Sequence, residues 1–134
     1  SNESAITYAD KILKAIKDAK ELLNLKDNFD DEGSKAITQE TLNDAFGILG
    51  LLSMSVKKWC NMYVPSFDIG PNSSVDILWV EKDFYLAVNI PEKNTDKISF
   101  YGEKNDKEIK GEFNKTHDDL VNLPKEIVEM ISYE

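Results

Sequence analysis

The chain has 134 residues, of which 25 are acidic and 16 basic, giving a net charge of −9 at pH 7. Such an acidic surface argues against general binding to DNA, RNA or anionic lipid. All 16 basic residues are lysines, so the chain has no guanidinium group for bidentate phosphate recognition. With 41% hydrophobic residues the chain can bury one core, and we expect residues 1–134 to form a single domain.

The first predicted element is an amphipathic helix over residues 4–23, where apolar side chains recur at helical spacing. The following segment, residues 24–37, loses this period and collects residues that are typical of turns and caps. We therefore expect a loop there, in which Phe29 fills the space between two helices and Gly33 turns the chain.

A second helix is predicted to begin after the N-cap Thr38 and to end before Pro65. Its apolar stripe consists of Leu42, Ala45, Phe46, Leu49, Ser53, Val56, Cys60 and Tyr63. Because its rear side is also small and apolar at Gly47, Gly50, Leu51 and Met54, we expect this helix to be covered on both sides.

The chain after Pro65 changes to short β-branched and aromatic runs between turn residues, which predicts strands. The candidate strands are residues 66–69, 75–80, 84–90, 97–101 and 109–113. Their connections are too short for parallel crossovers, so they favour an antiparallel meander. Pairing Val80 with Tyr85 places Trp79 and Leu86 on one apolar face, which is the expected core side.

Two short helical signals follow the strands. Residues 116–119 resemble a capping box, in which the Thr116 hydroxyl and the Asp119 carboxylate satisfy reciprocal backbone donors. Residues 124–131 predict a separate helix that starts at Pro124. The predicted fold class is therefore α+β, with two N-terminal helices, an antiparallel meander of four to five strands and a C-terminal helix, all helices on one face of the sheet.

The residue types offer little catalytic chemistry. His117 is the only histidine, and the nucleotide, zinc-protease and dithiol motifs are missing from the sequence. With Gly33 at the sixth position of a calcium loop, the twelfth position falls on Gln39, which cannot supply a bidentate carboxylate. We expect no catalytic residue, no metal and no cofactor.

The apolar stretches indicate whether the chain can span a membrane, and the cysteine content indicates its redox compartment. The longest apolar stretch, residues 46–54, is about half the ~20 residues that a membrane span requires. The lone Cys60 suits a reducing compartment or a buried thiol, and no basic leader precedes an apolar segment at the start. We expect a cytoplasmic protein without a membrane span.

Residues 28–37, followed by a helix at Thr38, resemble the N-W-D-x-x-G-A-x-x-I segment of a family of small uncharacterised bacterial proteins. The family's G-P-D-G-S-V-x-L-x-W segment corresponds to residues 70–79 here, and its S-x-Y-G turn to residues 99–102. The resemblance spans about residues 20–113, with Phe29 in place of the Trp and Ser34 in place of the Ala. It implies a bacterial protein and supports the fold class, but it implies no activity.

Two functions of different classes remain. The leading hypothesis is a non-enzymatic binding or accessory protein with an acidic surface, because residues 64–134 carry 15 acids against 8 lysines. The alternative is a small metal-dependent hydrolase that uses Asp and Glu side chains. The predicted partner is a protein rather than a nucleic acid or a membrane, and the oligomeric state is left open. The candidate contact residues are Asp30, Asp31 and Glu32 in the first loop and Tyr101 in a turn.

Overall fold

The structure, a computed structural model, describes residues 2–133 and the side chains of residues 5–133. Its α-helices are α1 (Asn2–Lys20), α2 (Gln39–Ser55), α3 (His117–Leu120) and α4 (Lys125–Ile131). Its strands are β1 (Ser66–Ile69), β2 (Val75–Val80), β3 (Phe84–Ile90), β4 (Ile98–Lys104) and β5 (Lys107–Phe113). Short 3-10 turns occupy Glu21–Asn24, Trp59–Asn61 and Pro71–Ser73. The predicted α+β class is confirmed.

The strands form one antiparallel sheet in the order β1-β2-β3-β4-β5, which confirms the predicted meander. The register of the central hairpin is also as predicted, with Val80 opposite Tyr85. One face of the sheet is buried, through Val75, Ile77, Trp79, Phe84, Leu86, Val88, Ile90, Ile98 and Phe100. These side chains share a core cluster with buried residues of α1, α2 and α4, so the helices pack on this inner face.

The turn between β4 and β5 is shorter than the sequence predicts. The predicted strands ended at Tyr101 and resumed at Ile109, whereas β4 continues to Lys104 and β5 begins at Lys107. Only Asn105 and Asp106 form the turn, with φ angles of 51° and 63°. Asn and Asp tolerate this left-handed conformation, which matches a two-residue hairpin to the twist of its strands.

The start of α2 is as predicted, because the backbone N–H of Thr41 donates to the Thr38 hydroxyl at 3.1 Å. The helix ends before Pro65, as predicted, but its predicted stripe through Val56, Cys60 and Tyr63 is wrong, since α2 ends at Ser55 and Val56 is extended. The chain beyond pairs with the C-terminal segment instead: Tyr63 donates its N–H to the Ile131 carbonyl at 2.7 Å. This pairing uses backbone N–H and C=O groups that would form hydrogen bonds within the helix if α2 continued.

Within the described chain the second side of α2 is exposed, so the interpretation of α2 as a helix packed between two layers of this chain is wrong. Met54 is 81% exposed, and Gly47 and Gly50 are exposed as well. Phe46 was expected to be buried, yet it is only partly buried and meets the Phe67 ring edge-on at 5.3 Å. The helix packs on the sheet along one side, through Leu42, Ala45, Ile48, Leu49 and Leu52.

The exposed glycine side of α2 makes a testable prediction. An added Cβ at Gly47 would meet no atom within 4 Å. Gly47→Ala should therefore raise the free energy of unfolding by about 0.5–1 kcal/mol, because alanine loses less backbone entropy in a helix. Chemical denaturation measures this change.

Gly102→Ala is the matched control for Gly47→Ala. A Cβ at Gly102 would lie 2.9 Å from Leu86 Cδ1 and 3.0 Å from the Tyr85 carbonyl oxygen. This crowding should destabilise the fold. A loss of stability at both glycines would contradict the open environment assigned to Gly47.

The C-terminal helices begin near the predicted positions, but their caps differ. The predicted reciprocal capping box is wrong, because the Thr116 side chain makes no capping hydrogen bond. The Asp119 carboxylate instead accepts from the Asn114 N–H at 2.7 Å, two residues before Thr116. Pro124 precedes α4 rather than beginning it. Of the three residues that the helical spacing predicts to be buried, Ile127 and Ile131 are buried and Val128 is only partly buried.

Lys115 connects the α2 helix to the sheet, and no sequence pattern singled it out. Its side chain is 9% exposed, and its ammonium group lies 3.2 Å from the Asp44 carboxylate of α2. The same ammonium donates to the Pro91 carbonyl, just after β3, and to the Asn94 side-chain oxygen at 3.5 Å. These contacts hold three separate parts of the chain together.

Candidate functional site

The predicted acidic contact residues lie in an exposed loop whose polar groups largely serve the loop itself. The Asp30 carboxylate accepts from the Glu32 N–H at 3.0 Å and from the Ser34 hydroxyl. The Ser34 and Glu32 hydrogen bonds lower the pKa of Asp30. Asp31 has a φ of 59° and Gly33 one of 82°, so the chain turns here as predicted.

Phe29 does not fill the space between the helices, contrary to expectation. Its side chain is 40% exposed, and the loop is instead closed by polar hydrogen bonds. The Asn28 side-chain oxygen accepts from the Gly33 N–H at 2.8 Å, and the Asp27 carboxylate accepts from the Ala36 N–H at 2.9 Å. Because short polar side chains satisfy these backbone donors, the loop does not require an aromatic plug.

Tyr101 lies inside β4 and not in a turn, which corrects the predicted position. Its side chain is 40% exposed, whereas its neighbour Phe100 points into the core as expected. Tyr101 is opposite Ala87 on β3 and Lys110 on β5. It therefore lies on the sheet face away from the helices, while Asp30 to Glu32 lie in the connection between α1 and α2. Within residues 5–133, no hydrogen bond, ion pair or ring contact joins the two groups.

We call the face that carries Tyr101 the outer sheet face. The strand register assigns to it Ser66, Asp68, Asp76, Leu78, Val80, Tyr85, Ala87, Asn89, Ser99, Tyr101, Glu103, Glu108, Lys110 and Glu112. It thus contains five carboxylates against the one ammonium group of Lys110. These six side chains carry a net charge of −4, and the Lys97 ammonium lies 3.5 Å from one of the carboxylates, that of Glu112.

Four of these carboxylates form like-charged cross-strand pairs. Asp68 on β1 is directly opposite Asp76 on β2, and Glu103 on β4 is directly opposite Glu108 on β5. Side chains in such positions have Cβ atoms about 4.5–5.5 Å apart, and like charges there destabilise a sheet. None of the four makes a salt bridge within the part of the chain whose side chains are described. We call these two the acidic pairs.

The Asp76 carboxylate is the most perturbed acid of the outer sheet face. Partial burial raises its pKa, a hydrogen bond from Asn89 opposes the rise, and the negative charge of Asp68 adds to it. The Asn89 amide holds the carboxylate at 2.7 Å and also donates to the Ser74 hydroxyl at 2.8 Å. The fold therefore fixes this carboxylate in place although its charged form is disfavoured there.

Asp76→Asn should stabilise the protein at pH 7 by about 0.5–1 kcal/mol, because the amide oxygen still accepts from Asn89 while the charge facing Asp68 is lost. Because the pKa of Asp76 is raised in the folded state, the wild-type chain gains stability as the pH falls through that raised pKa. The advantage of the variant should therefore shrink in acid, which urea unfolding at several pH values measures. Asp96 is exposed, so Asp96→Asn is the control and should leave the free energy of unfolding unchanged. A less stable Asp76→Asn protein would contradict the like-charged contact assigned to Asp68 and Asp76.

Apolar and aromatic side chains lie between the acidic pairs. Leu78, Ala87 and Tyr101 form one row across β2, β3 and β4, and Val80 and Tyr85 begin the next row. Val80 is 69% exposed and Tyr85 40% exposed. Exposed tyrosines and aliphatic groups surrounded by charged residues are typical of protein contact surfaces.

A cleft of about 830 Å³ lies between α1, the 3-10 turn Trp59–Asn61 and Tyr133 near the end of the chain. The Tyr8 hydroxyl is buried beside it and has no hydrogen-bond partner among the described residues. Burial raises the pKa of Tyr8 far above its usual range, so the phenol is neutral. Cys60 is buried as the sequence predicts, and His117 is exposed at the first position of α3.

Among the side chains of residues 5–133, no group of three or more from His, Cys, Asp and Glu is arranged to hold a metal ion. No helix within residues 2–133 is both long and apolar enough to cross a membrane. No family model, curated protein or solved structure matches the chain.

The sequence interpretation missed the carboxylates of the acidic pairs. The alternation along the central hairpin already placed Asp76 and Asn89 on the non-core face. However, the pairing of Asp68 with Asp76 depends on β1, and that of Glu103 with Glu108 on the true length of β4. The Asn105–Asp106 dipeptide was the available signal, since two such residues between strands favour a tight hairpin.

Proposed function

We propose that this chain is a non-enzymatic binding or accessory protein that engages a protein partner through an acidic surface. The observation that carries the proposal is the outer sheet face, with five carboxylates against one lysine around exposed tyrosine and valine side chains. Such a face attracts a cationic partner and offers it an apolar centre to bury. A nucleic acid or an anionic membrane would meet repulsion on the same face.

The candidate loop residues Asp30, Asp31 and Glu32 belong to this proposal as a second acidic surface. The Asp30 carboxylate is committed to hydrogen bonds within the loop, whereas the side chains of Asp31 and Glu32 have no hydrogen bond within residues 5–133. Their contribution to binding is separable from that of the outer sheet face by mutation.

The test is affinity purification of the whole chain from its native host, with mass spectrometry of the recovered proteins at low and physiological salt. A reproducible partner with a basic surface, lost as salt is raised, supports the proposal. Absence of any reproducible partner under both conditions, in a host that expresses the chain, would overturn it.

A triple variant, Asp30→Asn, Asp31→Asn and Glu32→Gln, distinguishes the two surfaces. We expect its melting temperature to fall, because a neutral amide is a weaker acceptor for Ser34 and the Glu32 N–H, while partner recovery persists. Loss of recovery without loss of stability would assign the contact to the loop.

The hydrolase alternative makes a different prediction. A metal-dependent enzyme binds its ion in the folded state, so Mg²⁺ or Ca²⁺ would raise the melting temperature through linkage. For a binding protein we expect no specific rise with either ion, and a saturable rise at micromolar metal would favour the enzyme.

A further inference from the structure

We infer that the outer sheet face docks a partner that presents two groups of lysine or arginine side chains, one for each acidic pair, on either side of an apolar contact. The inference rests on the proposed function and names the chemistry of the partner. It adds to the proposed function the arrangement of the partner's cations, two groups on either side of an apolar contact.

The spacing of the acidic pairs follows from the sheet geometry. The Asp68–Asp76 pair lies between β1 and β2, and the Glu103–Glu108 pair lies between β4 and β5. Three strand spacings separate them, which is about 14 Å across the sheet. Along the strands they are four residues apart, or about 13 Å. The pairs are therefore about 20 Å apart on a diagonal.

The diagonal crosses the apolar part of the outer sheet face. Leu78, Ala87 and Tyr101 lie in the row midway between the two acidic pairs. A partner that places cations on both pairs must therefore also cover this row. Burial of the tyrosine and the aliphatic groups would provide the non-polar contact that charge alone does not supply.

The acidic pairs favour a cation more than isolated carboxylates do. Each pair brings two negative charges together, and neither carboxylate of either pair makes a salt bridge within residues 5–133, although Lys110 lies two residues from Glu108 on the same face. Repulsion between such charges lowers the stability of the free protein. A lysine or arginine side chain placed between the two carboxylates removes this repulsion and gains two charge-assisted hydrogen bonds. Glu112 differs, because Lys97 already lies 3.5 Å from its carboxylate.

The same charges disfavour a second copy of this chain as the occupant. In a symmetric dimer the same patch faces itself. The outer sheet face would then bring five carboxylates against five, with only Lys110 and the Lys97 ammonium beside Glu112 from each copy to offset them. A basic partner has no such conflict, and the wild-type chain should not dimerise through this face.

The experiment uses a synthetic nine-residue peptide with two lysines at each end and five uncharged residues, including leucine and tyrosine, between them. The two inner lysines are then six residues apart, which is about 20 Å in an extended chain and matches the distance between the acidic pairs. The peptide is titrated into the whole chain at physiological salt by calorimetry and by NMR. A peptide of the same composition with adjacent lysines is the geometric control.

The variant takes one carboxylate from each acidic pair, as Asp68→Asn with Glu103→Gln. Its matched control is Asp10→Asn with Glu129→Gln, which removes the same charge from exposed positions on α1 and α4. We expect the outer-face variant to bind the spaced peptide about tenfold more weakly, with an unchanged or higher melting temperature. The control variant should bind within about twofold of the wild type, because charges beyond a Debye length of about 8 Å are screened.

Equal weakening in both variants would show that only net charge matters and would overturn the inference, as would equal binding of both peptides. A wild-type dimer that the outer-face variant strengthens would identify a second copy as the occupant and also overturn it. If a host partner is recovered and is lost only in the loop variant, the docking surface is wrong while the proposed function stands. If neither host partner nor peptide binds, both fail.

Discussion

Replacing Leu86 by alanine is expected to lower the free energy of unfolding by about 2–5 kcal/mol. Leu86 is fully buried at the centre of β3, opposite Trp79 on β2 and Gly102 on β4. Its removal leaves a cavity that these neighbours cannot close, since the strands on both sides hold their positions through ladder hydrogen bonds. Urea unfolding with an unchanged m-value measures the loss.

The matched control for Leu86→Ala is Val80→Ala, which shortens an aliphatic side chain on the outer sheet face. Val80 is 69% exposed, so its truncation should change the free energy of unfolding by less than about 0.5 kcal/mol. A loss below about 1 kcal/mol for Leu86→Ala would mean that the inner and outer faces of β3 have been exchanged.

Lys115→Met is expected to cost about 1.5–3 kcal/mol, because methionine keeps the apolar stem but removes the ammonium group. The Asp44 carboxylate and the Pro91 carbonyl would lose their partner in a site where the lysine side chain is 9% exposed. The contact between the first turns of α2 and the segment after β3 should loosen first. Hydrogen exchange measures this local opening, and the unfolding free energy measures the total.

Lys97→Met is the control, since the Lys97 ammonium lies 3.5 Å from the Glu112 carboxylate and both side chains are more than half exposed. Exposed ion pairs contribute little, so this change should cost less than about 0.5 kcal/mol. Equal effects of the two substitutions would contradict the structural role assigned to Lys115.

The acidic pairs connect stability with the proposed binding. Asp76→Asn and Asp68→Asn are both expected to stabilise the free chain, and the latter is also expected to weaken the complex. A residue that only supports the fold would lose stability when changed. A substitution that raises the stability of the free chain but lowers its affinity for the partner therefore indicates a binding role and not a structural one at that position.

Much of the fold follows from local patterns. The central hairpin has the predicted register because one strand face is continuously apolar, and a shift by one residue would turn Trp79 and Leu86 to solvent. The Thr38 cap is likewise local, since donor and acceptor lie three residues apart. The exposed acidic loop at Asp30 and the turn at Gly33 follow from turn residues alone.

Other features depend on partners far away in the chain. Apolar spacing continues past Ser55, but α2 stops there because Asn61 and Tyr63 pair with Ile131 and Tyr133. The Lys115 ammonium reaches an acid 71 residues earlier. The register of β1 and β5 in the sheet decides which residues lie opposite one another in the acidic pairs and which residues surround Tyr101. Local periodicity reports which side of an element is apolar, but it holds no information about which distant strand or helix lies against it.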